Sequence, residues 1–403
     1  MKAVGLVVEY NPFHNGHKYH AAQSRLQSGA DTVVAVMSGS FLQRGEPALV
    51  DKWTRTSMAL QNGVDLVVKL PYIYSTQHAE HFARGAIRIL DALCCESFCF
   101  GSEDHSIANF LSIHEKMESR QHELNSLVKG FSKEGYSYPK SFSLAMQELG
   151  MLEEGSLDLS KPNNILGLQY VKAALSGGYS IKPQMINRIA AGYHDPDLPE
   201  GDIASATSIR NALMEGGDDA VRSFVPESAY EQFLGYRNRT TVLRHWELYW
   251  PLLKYRLLSS SPDQLESIYE AEEGIHHRLK ETALAAGSFK DFIVRAKTKR
   301  YTLTRLQRIC VHILTGTEKS QIKPLLKTEP YIRILGFNET GRTYLRENKK
   351  KIGLPVISRV AAGQANPILA LDIKASFIHS LALPQHVQPA AMQREYRPPV
   401  MLP

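Results

Sequence analysis

The sequence contains few cysteines and no long apolar run, and these absences exclude several classes of protein. Four of the 403 residues are cysteine, and the spacing Cys94-Cys95-x3-Cys99 fits neither a disulfide framework nor a common zinc site. No stretch approaches the roughly 18 consecutive apolar residues of a membrane span, and the N-terminal apolar run is too short for a signal peptide. We therefore expect a soluble cytoplasmic protein with no membrane partner, in which these cysteines and Cys310 are buried structural residues.

Two catalytic signatures are also missing. Neither the P-loop pattern Gly-x-x-x-x-Gly-Lys-Ser/Thr nor the nucleophile elbow Gly-x-Ser-x-Gly occurs, which argues against P-loop and α/β-hydrolase chemistry. No metal held by protein side chains is expected. What is present is an ordinary globular composition, with 43% hydrophobic and 22% charged residues. The excess of 47 Lys and Arg over 41 Asp and Glu gives a net charge of +6, which is a weak indication of a polyanionic partner.

The order of apolar runs predicts an α/β domain in the first half of the chain. Short apolar runs at residues 2–9, 31–37, 64–70 and 97–100 alternate with helical stretches. This rhythm is typical of right-handed βαβ units in a doubly wound parallel sheet. A further strand candidate covers residues 184–189.

The rhythm changes after about residue 215. Helical periodicity dominates residues 243–258 and 262–284, and strand signals are weak until about residue 356. The predicted division is therefore an α/β domain over residues 1–215, a mainly α-helical C-terminal domain over 216–384 and a Pro- and Gln-rich extended tail over 385–403. At about one domain per 150 residues, the chain has room for two or three domains.

Two segments of the α/β domain have the composition of anion-binding sites. His14-Asn15-Gly16-His17 follows the first strand and opens a helix, where backbone N–H groups attract phosphate and Gly16 permits close approach. For an isolated His-x-x-His, two surface histidines are the commoner interpretation. Later in the domain, three hydroxyls and a guanidinium share one predicted helix start, and these are Ser205, Thr207, Ser208 and Arg210. The two segments together favour a nucleotide site more than either does alone.

These residues resemble a known group of enzymes. The histidine motif after strand one, with the later Ser205-x-Thr207-Ser208-x-Arg210, is similar to the HIGH-type nucleotidylyltransferase superfamily. Further segments narrow the resemblance to the bacterial tRNA(Met) cytidine acetate ligase family, over residues 1 to about 375. They are residues 8–17, 37–48, 100–103 and 161–167, Arg188-x4-Tyr193-His194, and Lys299-Arg300-Tyr301-Thr302-x2-Arg305.

The resemblance implies a Rossmann-like nucleotidylyltransferase domain and a two-step reaction. Such ligases activate acetate with ATP as acetyl-adenylate, then acetylate the exocyclic amine of the wobble cytidine in elongator tRNA(Met). The carried-over ATP site comprises Gly101, Asn163 and Arg188, together with Val7, Val8, Glu9, Tyr10, Asn11, Pro12, Phe13, His14, Asn15, Gly16, His17, Lys18, Tyr19 and His20. We also expect Mg²⁺ on the nucleotide.

The chemistry of these residue types agrees with that assignment in part. Acetate is itself the nucleophile, so the protein must position it and neutralise charge on the phosphates. His14, His17 and Arg210 are the catalytic candidates, with Ser205, Thr207 and Ser208 on phosphate oxygens. No residue is assigned as the base in acetyl transfer, although Glu9, Lys18, His20 and Lys52 are near the motifs in sequence.

Basic residues cluster in the second half of the chain. Seven lie between residues 290 and 308, against one acid, Asp291, and Tyr301 is among them. This mixture favours RNA, and the candidate RNA-binding residues are Arg295, Lys297, Lys299, Arg300 and Arg305. Arg300 and Arg305 can alternatively fold back onto the nucleotide site.

Two other functions remain open from the residues alone. One is a small-molecule adenylyltransferase, which leaves the basic second half without a task. The other is a non-enzymatic RNA-binding protein with a nucleotide-sensing domain. No protein partner is implied.

Overall fold

A computed structural model of the chain describes residues 1–104, 106–152, 157–159, 161–187, 201–363 and 365–403. Arg188, Tyr193 and His194, which belong to one of the family motifs, lie outside the described residues.

A mostly parallel, eight-stranded sheet organises the described chain. Its strands are β1 (Ala3–Val8), β2 (Thr32–Ser38), β3 (Leu66–Leu70), β4 (Ser97–Ser102), β5 (Lys182–Asn187), β6 (Ile332–Phe337), β7 (Val356–Ile357) and β8 (Val400–Met401). The order across the sheet is β5-β4-β1-β2-β3-β6-β7, and β8 also pairs with β6. The first five strands are parallel, whereas β6 runs antiparallel to β3.

Helices connect the strands and cover both faces of the sheet. They are α1 (Asn15–Ser28), α2 (Lys52–Leu60), α3 (Tyr72–Ser75), α4 (Ala79–Ala92), α5 (Ile107–Ser119), α6 (Gln121–Lys133), α7 (Tyr138–Glu148), α8 (Pro162–Ser176), α9 (Ala206–Glu215), α10 (Glu227–Thr240), α11 (Trp246–Ser259), α12 (Pro262–Ser267), α13 (Ile275–Ala285), α14 (Phe289–Ala296), α15 (Leu303–Thr315), α16 (Lys319–Leu325), α17 (Glu339–Asn348), α18 (Pro367–Ser380) and α19 (Gln388–Gln393).

The central strands are mostly apolar because both of their faces are buried. Every residue of β2 is buried, and its alternate side chains enter two different cores. Val34 and Val36 pack with α4, while Val33 and Ala35 pack on the opposite face with Leu60 of α2. A strand covered by helices on both sides is mostly apolar, as parallel strands usually are. Lys69 of β3 is charged and buried, and it forms an ion pair with Asp372 at 2.9 Å.

The predicted strands and connecting helices of the α/β unit are confirmed, but the C-terminal segment differs from expectation. β6 lies in the region expected to be helical and pairs with β3, with Leu66 opposite Phe337. The expected extended tail contains α19 and β8, and its Glu395 is buried. Distant partners stabilise both segments, and local periodicity does not report such partners. The limits of the predicted domains stay a prediction.

No helix in the described part of the chain is long and apolar enough to cross a membrane.

Candidate functional site

A cleft opens at the switch point of the sheet order. From β1 the chain order runs outward to β2 and β3 on one side and to β4 and β5 on the other. Ligands of open α/β sheets bind outside the carboxyl ends of the strands at such a point. The cavity here measures about 1340 Å³, and its wall includes Val7, Val8 and Glu9 at the end of β1 and Gly101 in β4.

His14 and His17 lie side by side at the start of α1. His14 caps the helix, because its Nδ1 accepts a hydrogen bond from the Gly16 N–H at 3.1 Å. Nδ1 of His17 accepts one from the His14 N–H at 3.3 Å, and the ring centroids are 3.7 Å apart. With Nδ1 accepting, a neutral ring carries its proton on Nε2. Both residues line the cavity at a helix N-terminus, where an anion is stabilised.

The second predicted segment forms the start of α9 on the same cavity wall. Ser205 is the N-cap, and its Oγ accepts from the Ser208 N–H at 3.0 Å. Ser205 and Thr207 line the cavity. Ser208 is buried and donates its hydroxyl to the Ser205 carbonyl at 2.9 Å. This hydroxyl therefore closes the helix cap, and it does not face the cavity.

Arg210 joins the two segments. Its Nη1 donates to the Asn11 carbonyl at 2.9 Å, and its Nη2 donates to Thr207 Oγ1 at 3.3 Å. The same nitrogen lies 3.2 Å from a carboxylate oxygen of Glu46. A guanidinium held by these partners, and lining the cavity, can meet a phosphate bound between α1 and α9.

A buried arginine that was not singled out from the sequence supports the strand ends. Arg55 in α2 is fully buried and donates to the carbonyls of Glu9 (2.7 Å), Ser38 (2.9 Å) and Gly39. The Glu9 carboxylate accepts from the Gln43 N–H at 2.8 Å. Burial is the main reason why the pKa of Glu9 is raised above its ordinary value of 4.5. No sequence pattern singled out Arg55, because α2 also contains Lys52, Thr54, Thr56 and Ser57.

Other members of the predicted ATP segment divide into two sets. Cavity-lining residues are Tyr10, Asn11, Gly16, Tyr19 and His20, with Asn163 from α8. Of the described residues in the segment, those that do not line the cavity are Pro12, Phe13, Asn15 and Lys18. Asn15 instead holds the backbone, donating at 2.8 Å to the carbonyls of Asp202 and Ser223. Arg188 is outside the described residues.

The RNA-binding candidates also divide. Arg300 and Arg305 line the cavity and pair with Glu273 at 2.9 and 3.4 Å. Arg295, Lys297 and Lys299 are exposed outside it. Arg300 and Arg305 therefore share this cavity with the nucleotide candidates, and their assignment to RNA or to the nucleotide stays a prediction.

The cysteines are free thiols, and three of them are buried. Burial raises the pKa of Cys99 to about 11, so this thiol stays protonated at neutral pH. Among the described residues, no group of three or more His, Cys, Asp or Glu side chains could hold a metal ion.

Residues that the sequence reasoning missed line the far side of the same cavity. They are His78 and His81 at the start of α4 and Glu270 between α12 and α13, and Arg308 of the basic cluster lines the same side from α15. The signal was available in part, because His78-Ala79-Glu80-His81 repeats the spacing of His14 and His17. Glu270 and Arg308 form an ion pair at 2.9 Å, which no sequence pattern indicated.

Comparisons with known proteins agree along the whole chain. A model of the family described as HIGH Nucleotidyl Transferase matches residues 1–395. The tRNA(Met) cytidine acetate ligase of Anoxybacillus flavithermus is 49% identical over 402 residues, which cover 99% of each chain. The protein of the same name from Bacillus subtilis is 48% identical, over 98% of this chain and 96% of the relative.

Solved structures show the same likeness. Thermotoga maritima TmcAL in its apo form is 33% identical and superposes with a TM-score of 0.94, covering 100% of both chains. The form bound with alpha-thio ATP gives a TM-score of 0.92 at the same identity and coverage. With its fold, its switch-point cleft and these full-length relatives, the chain belongs to the tRNA(Met) cytidine acetate ligase family of the HIGH nucleotidyl transferases.

Proposed function

We propose that the protein activates acetate with ATP as acetyl-adenylate and acetylates the exocyclic amine of the wobble cytidine in elongator tRNA(Met). The observation that carries the proposal is the junction made by Arg210. It brings the histidine pair of α1 and the hydroxyls of α9 to one cavity, through its bonds to Asn11 and Thr207. Full-length relatives bear the name of this activity.

The first step needs charge neutralisation more than covalent chemistry. An acetate oxygen attacks the α-phosphorus, a new P–O bond forms, and pyrophosphate leaves with the electrons of the broken P–O bond. His14, His17 and Arg210 stabilise the negative charge on the phosphates, and Ser205 and Thr207 add hydroxyl donors. The start of α1 supplies backbone N–H groups for the same anion.

The nucleoside of ATP belongs at the β4 side of the cavity. Gly101 has no side chain at the wall, so a base or ribose can pack on its backbone. Asn163 offers an amide for the ribose or base edge, and its Nδ2 already donates to Glu103. Arg188 is the third member proposed for this part of the site.

Mg²⁺ is proposed to arrive with the nucleotide. The described residues form no cage of three or more ligands for it, and Mg²⁺ commonly binds through substrate phosphates and water with one or two carboxylates. When bound, it would neutralise the pyrophosphate that leaves. The residues of this chain would hold the nucleotide that carries the ion.

In the second step the cytidine amine attacks the acetyl carbonyl carbon. The N–C bond forms, the bond from the carbonyl carbon to the phosphate oxygen breaks, AMP leaves, and the amine loses one proton. Exposed Arg295, Lys297 and Lys299 are proposed to hold the RNA backbone outside the cavity. Arg300 and Arg305 would meet it at the entrance. Such a reaction on tRNA also implies a cytoplasmic location.

Two assays test the proposal with the pure protein. Acetate-dependent exchange of labelled pyrophosphate into ATP reports the first step. Transfer of labelled acetate to elongator tRNA(Met) that requires ATP reports the whole reaction. A protein that transfers label from acetyl phosphate without ATP, or that leaves all tRNA unlabelled, would contradict the proposal. Exchange that proceeds equally with a mononucleotide in place of acetate would favour a small-molecule adenylyltransferase.

A further inference from the structure

The cavity extends well beyond the nucleotide residues. Its far wall is formed by His78, His81, Glu270 and Arg308, and we call this region the distal end. Ligand pockets usually measure about 300–1,000 Å³, whereas this cavity has about 1340 Å³. The space is therefore sufficient for ATP and a second, smaller group.

One loop forms the boundary between the two ends. Glu46 in this loop lies 3.2 Å from Arg210 of the nucleotide end. Its neighbour Gly45 packs so closely on α15 that a Cβ there would lie 2.3 Å from the backbone nitrogen of Arg308. The distal end is thus adjacent to the place where the α-phosphate is proposed to react. A group bound at the distal end would therefore lie across this loop from the acetyl group of the adenylate.

The distal end carries a fixed pair of an acceptor and a donor. Arg308 Nε donates to both carboxylate oxygens of Glu270, at 2.9 and 3.0 Å. In the described part of the chain, no hydrogen bond is found for the two Nη groups of Arg308. Burial alone would raise the pKa of Glu270, but the ion pair with Arg308 outweighs it and lowers the pKa below 4.5. The carboxylate is therefore ionised at neutral pH.

Two further observations distinguish this pair from an ordinary structural ion pair. Glu270 has a φ of +63°, in the left-handed region that non-glycine residues seldom occupy and that is enriched at functional sites. His81, on the same wall, has a buried Nδ1 with no hydrogen-bond partner among the described residues. Glu270, with its strained backbone, and His81, with its unpaired Nδ1, therefore lie on the same wall of the cavity.

This arrangement complements the edge of a cytosine. Cytosine presents an amine donor at N4 beside acceptors at N3 and O2, and carboxylates are the side chains that accept from N4. Uracil presents the opposite pattern at the same two positions, an acceptor at O4 and a donor at N3. A Glu–Arg pair therefore selects cytosine over uracil, because uracil would place its O4 against the carboxylate.

We propose that the distal end binds the flipped-out acceptor cytosine, with Glu270 accepting from the N4 amine and Arg308 donating to N3 and O2. The inference rests on the proposed function and names the pocket for its second substrate. Glu270 accepts one N4 hydrogen in the plane of the base, so the nitrogen can attack the carbonyl carbon from above that plane. As the N–C bond forms and AMP departs, the proton passes to the Glu270 carboxylate.

The entrance has the charge that an anticodon loop requires. Arg84, Lys323 and Lys327 line the cavity beside the distal end, and Arg300 and Arg305 line it from the segment before α15 and from α15 itself. A base can enter a pocket only if the loop splays it out. Cations around the entrance hold the neighbouring phosphates while that occurs.

The test compares two anticodon stem–loop RNAs that differ only in carrying C or U at the wobble position. Binding is measured by fluorescence anisotropy with the full-length protein saturated with ATP and without acetate, so that no transfer occurs. We expect the wild type to bind the C-containing RNA about tenfold more tightly. Glu270→Gln and Arg308→Lys should reduce this preference below about threefold. The ratio of the two affinities does not depend on the folded fraction.

Glu329→Gln is the matched control, because Glu329 also pairs with an arginine, Arg88, at 2.8 Å but lies on the surface. It should keep the full preference. A wild type without preference, or a Glu270→Gln protein that retains it, would overturn the inference. Acetate-dependent pyrophosphate exchange in the same wild-type preparation keeps the two proposals separate. Its absence would defeat the proposed function, whereas exchange without a preference for C would defeat the distal-end pocket alone.

Discussion

Replacement of Arg210 by alanine should remove most of the adenylation activity. Its guanidinium is the group that joins α1 and α9, and a single preorganised donor at a developing charge is worth about 10²–10³-fold in rate, or about 3–4 kcal/mol. Alanine also leaves the Glu46 carboxylate, now 3.2 Å from Arg210, without this cation beside the phosphates. We therefore expect acetate-dependent pyrophosphate exchange to fall by at least about 10²-fold.

The carboxylate supplies an internal check on that magnitude. If part of the loss comes from Glu46 repelling the phosphates, then Glu46→Gln in the Arg210→Ala background should recover roughly tenfold, because neighbouring charges couple by about 0.5–3 kcal/mol. In the wild-type background the same change should not increase exchange, since Arg210 already neutralises the carboxylate. The four proteins form a double-mutant cycle on one assay.

A surface pair provides the control for the loss of an arginine. Arg222 pairs with Glu227 at 2.9 Å, and both side chains are about 60% exposed. Arg222→Ala should leave exchange within about twofold, since an exposed pair contributes little. If Arg210→Ala retained more than a tenth of the wild-type exchange, the assignment of Arg210 to the phosphates would be wrong.

Three further changes test other parts of the molecule. The double variant Lys297→Ala, Lys299→Ala should weaken tRNA binding. It should also make the negative slope of log affinity against log salt shallower by roughly 1.4, measured by fluorescence anisotropy between 50 and 200 mM salt. Glu395→Gln should destabilise the fold by about 3–5 kcal/mol in urea at pH 7, because it leaves the buried Lys52 without its partner. Burial alone would raise the pKa of Glu395, but Lys52, Arg333 and Lys69 outweigh it and lower the pKa to about 2 from 4.5. The contribution of this carboxylate's ionisation to stability is therefore present above about pH 4.5 and lost as the pH falls toward 2, and the variant should lack that acid-dependent loss. Gly45→Ala should lower stability by about 1–3 kcal/mol in thermal unfolding, since Gly45 has a φ of +78° and packs on the backbone of α15.

Local sequence predicts those strands whose apolar run and terminating turn both lie in one short segment of the chain. β1, β2, β3 and β4 are short apolar runs that each end at a turn or glycine, and their partners are the next strands in the α/β rhythm. The position of the nucleotide site followed from the same logic, because His14 and His17 come directly after β1. A switch-point cleft requires only that strand order reverse beside that strand.

β6 could not be predicted in this way because its partner is remote. Residues 332–337 pair with β3, more than 260 positions earlier, and Leu66 lies opposite Phe337. The segment follows a long helical region, so its short apolar run is ambiguous between a strand and a helix. Only the free edge of β3, which is a tertiary feature, decides that ambiguity.

Arg55 illustrates a second limit. A charged residue in a helical run normally indicates a solvated face, yet this side chain is completely buried. Its guanidinium satisfies the carbonyls of Glu9, Ser38 and Gly39, where the chain leaves two parallel strands. Such carbonyls must find donors when they are buried, but the sequence does not reveal which residue supplies them.

The basic cluster of the second half shows how the two halves combine. From sequence, residues 290–308 favour RNA binding, with the alternative that Arg300 and Arg305 fold back onto the nucleotide site. In the structure Lys297 and Lys299 are exposed outside the cavity, whereas Arg300, Arg305 and Arg308 line it, although Arg300 is also exposed. We call these three the inward arginines and the two lysines the outward lysines. Glu273 and Glu270 hold the inward set by ion pairs. We expect RNA held by the outward lysines to lie next to the inward arginines, so one short segment would both bind the backbone and line the pocket for the base. Loss of Lys297 and Lys299 should therefore raise the KM for tRNA with little effect on exchange, while loss of the inward arginines should lower the rate of transfer from bound tRNA.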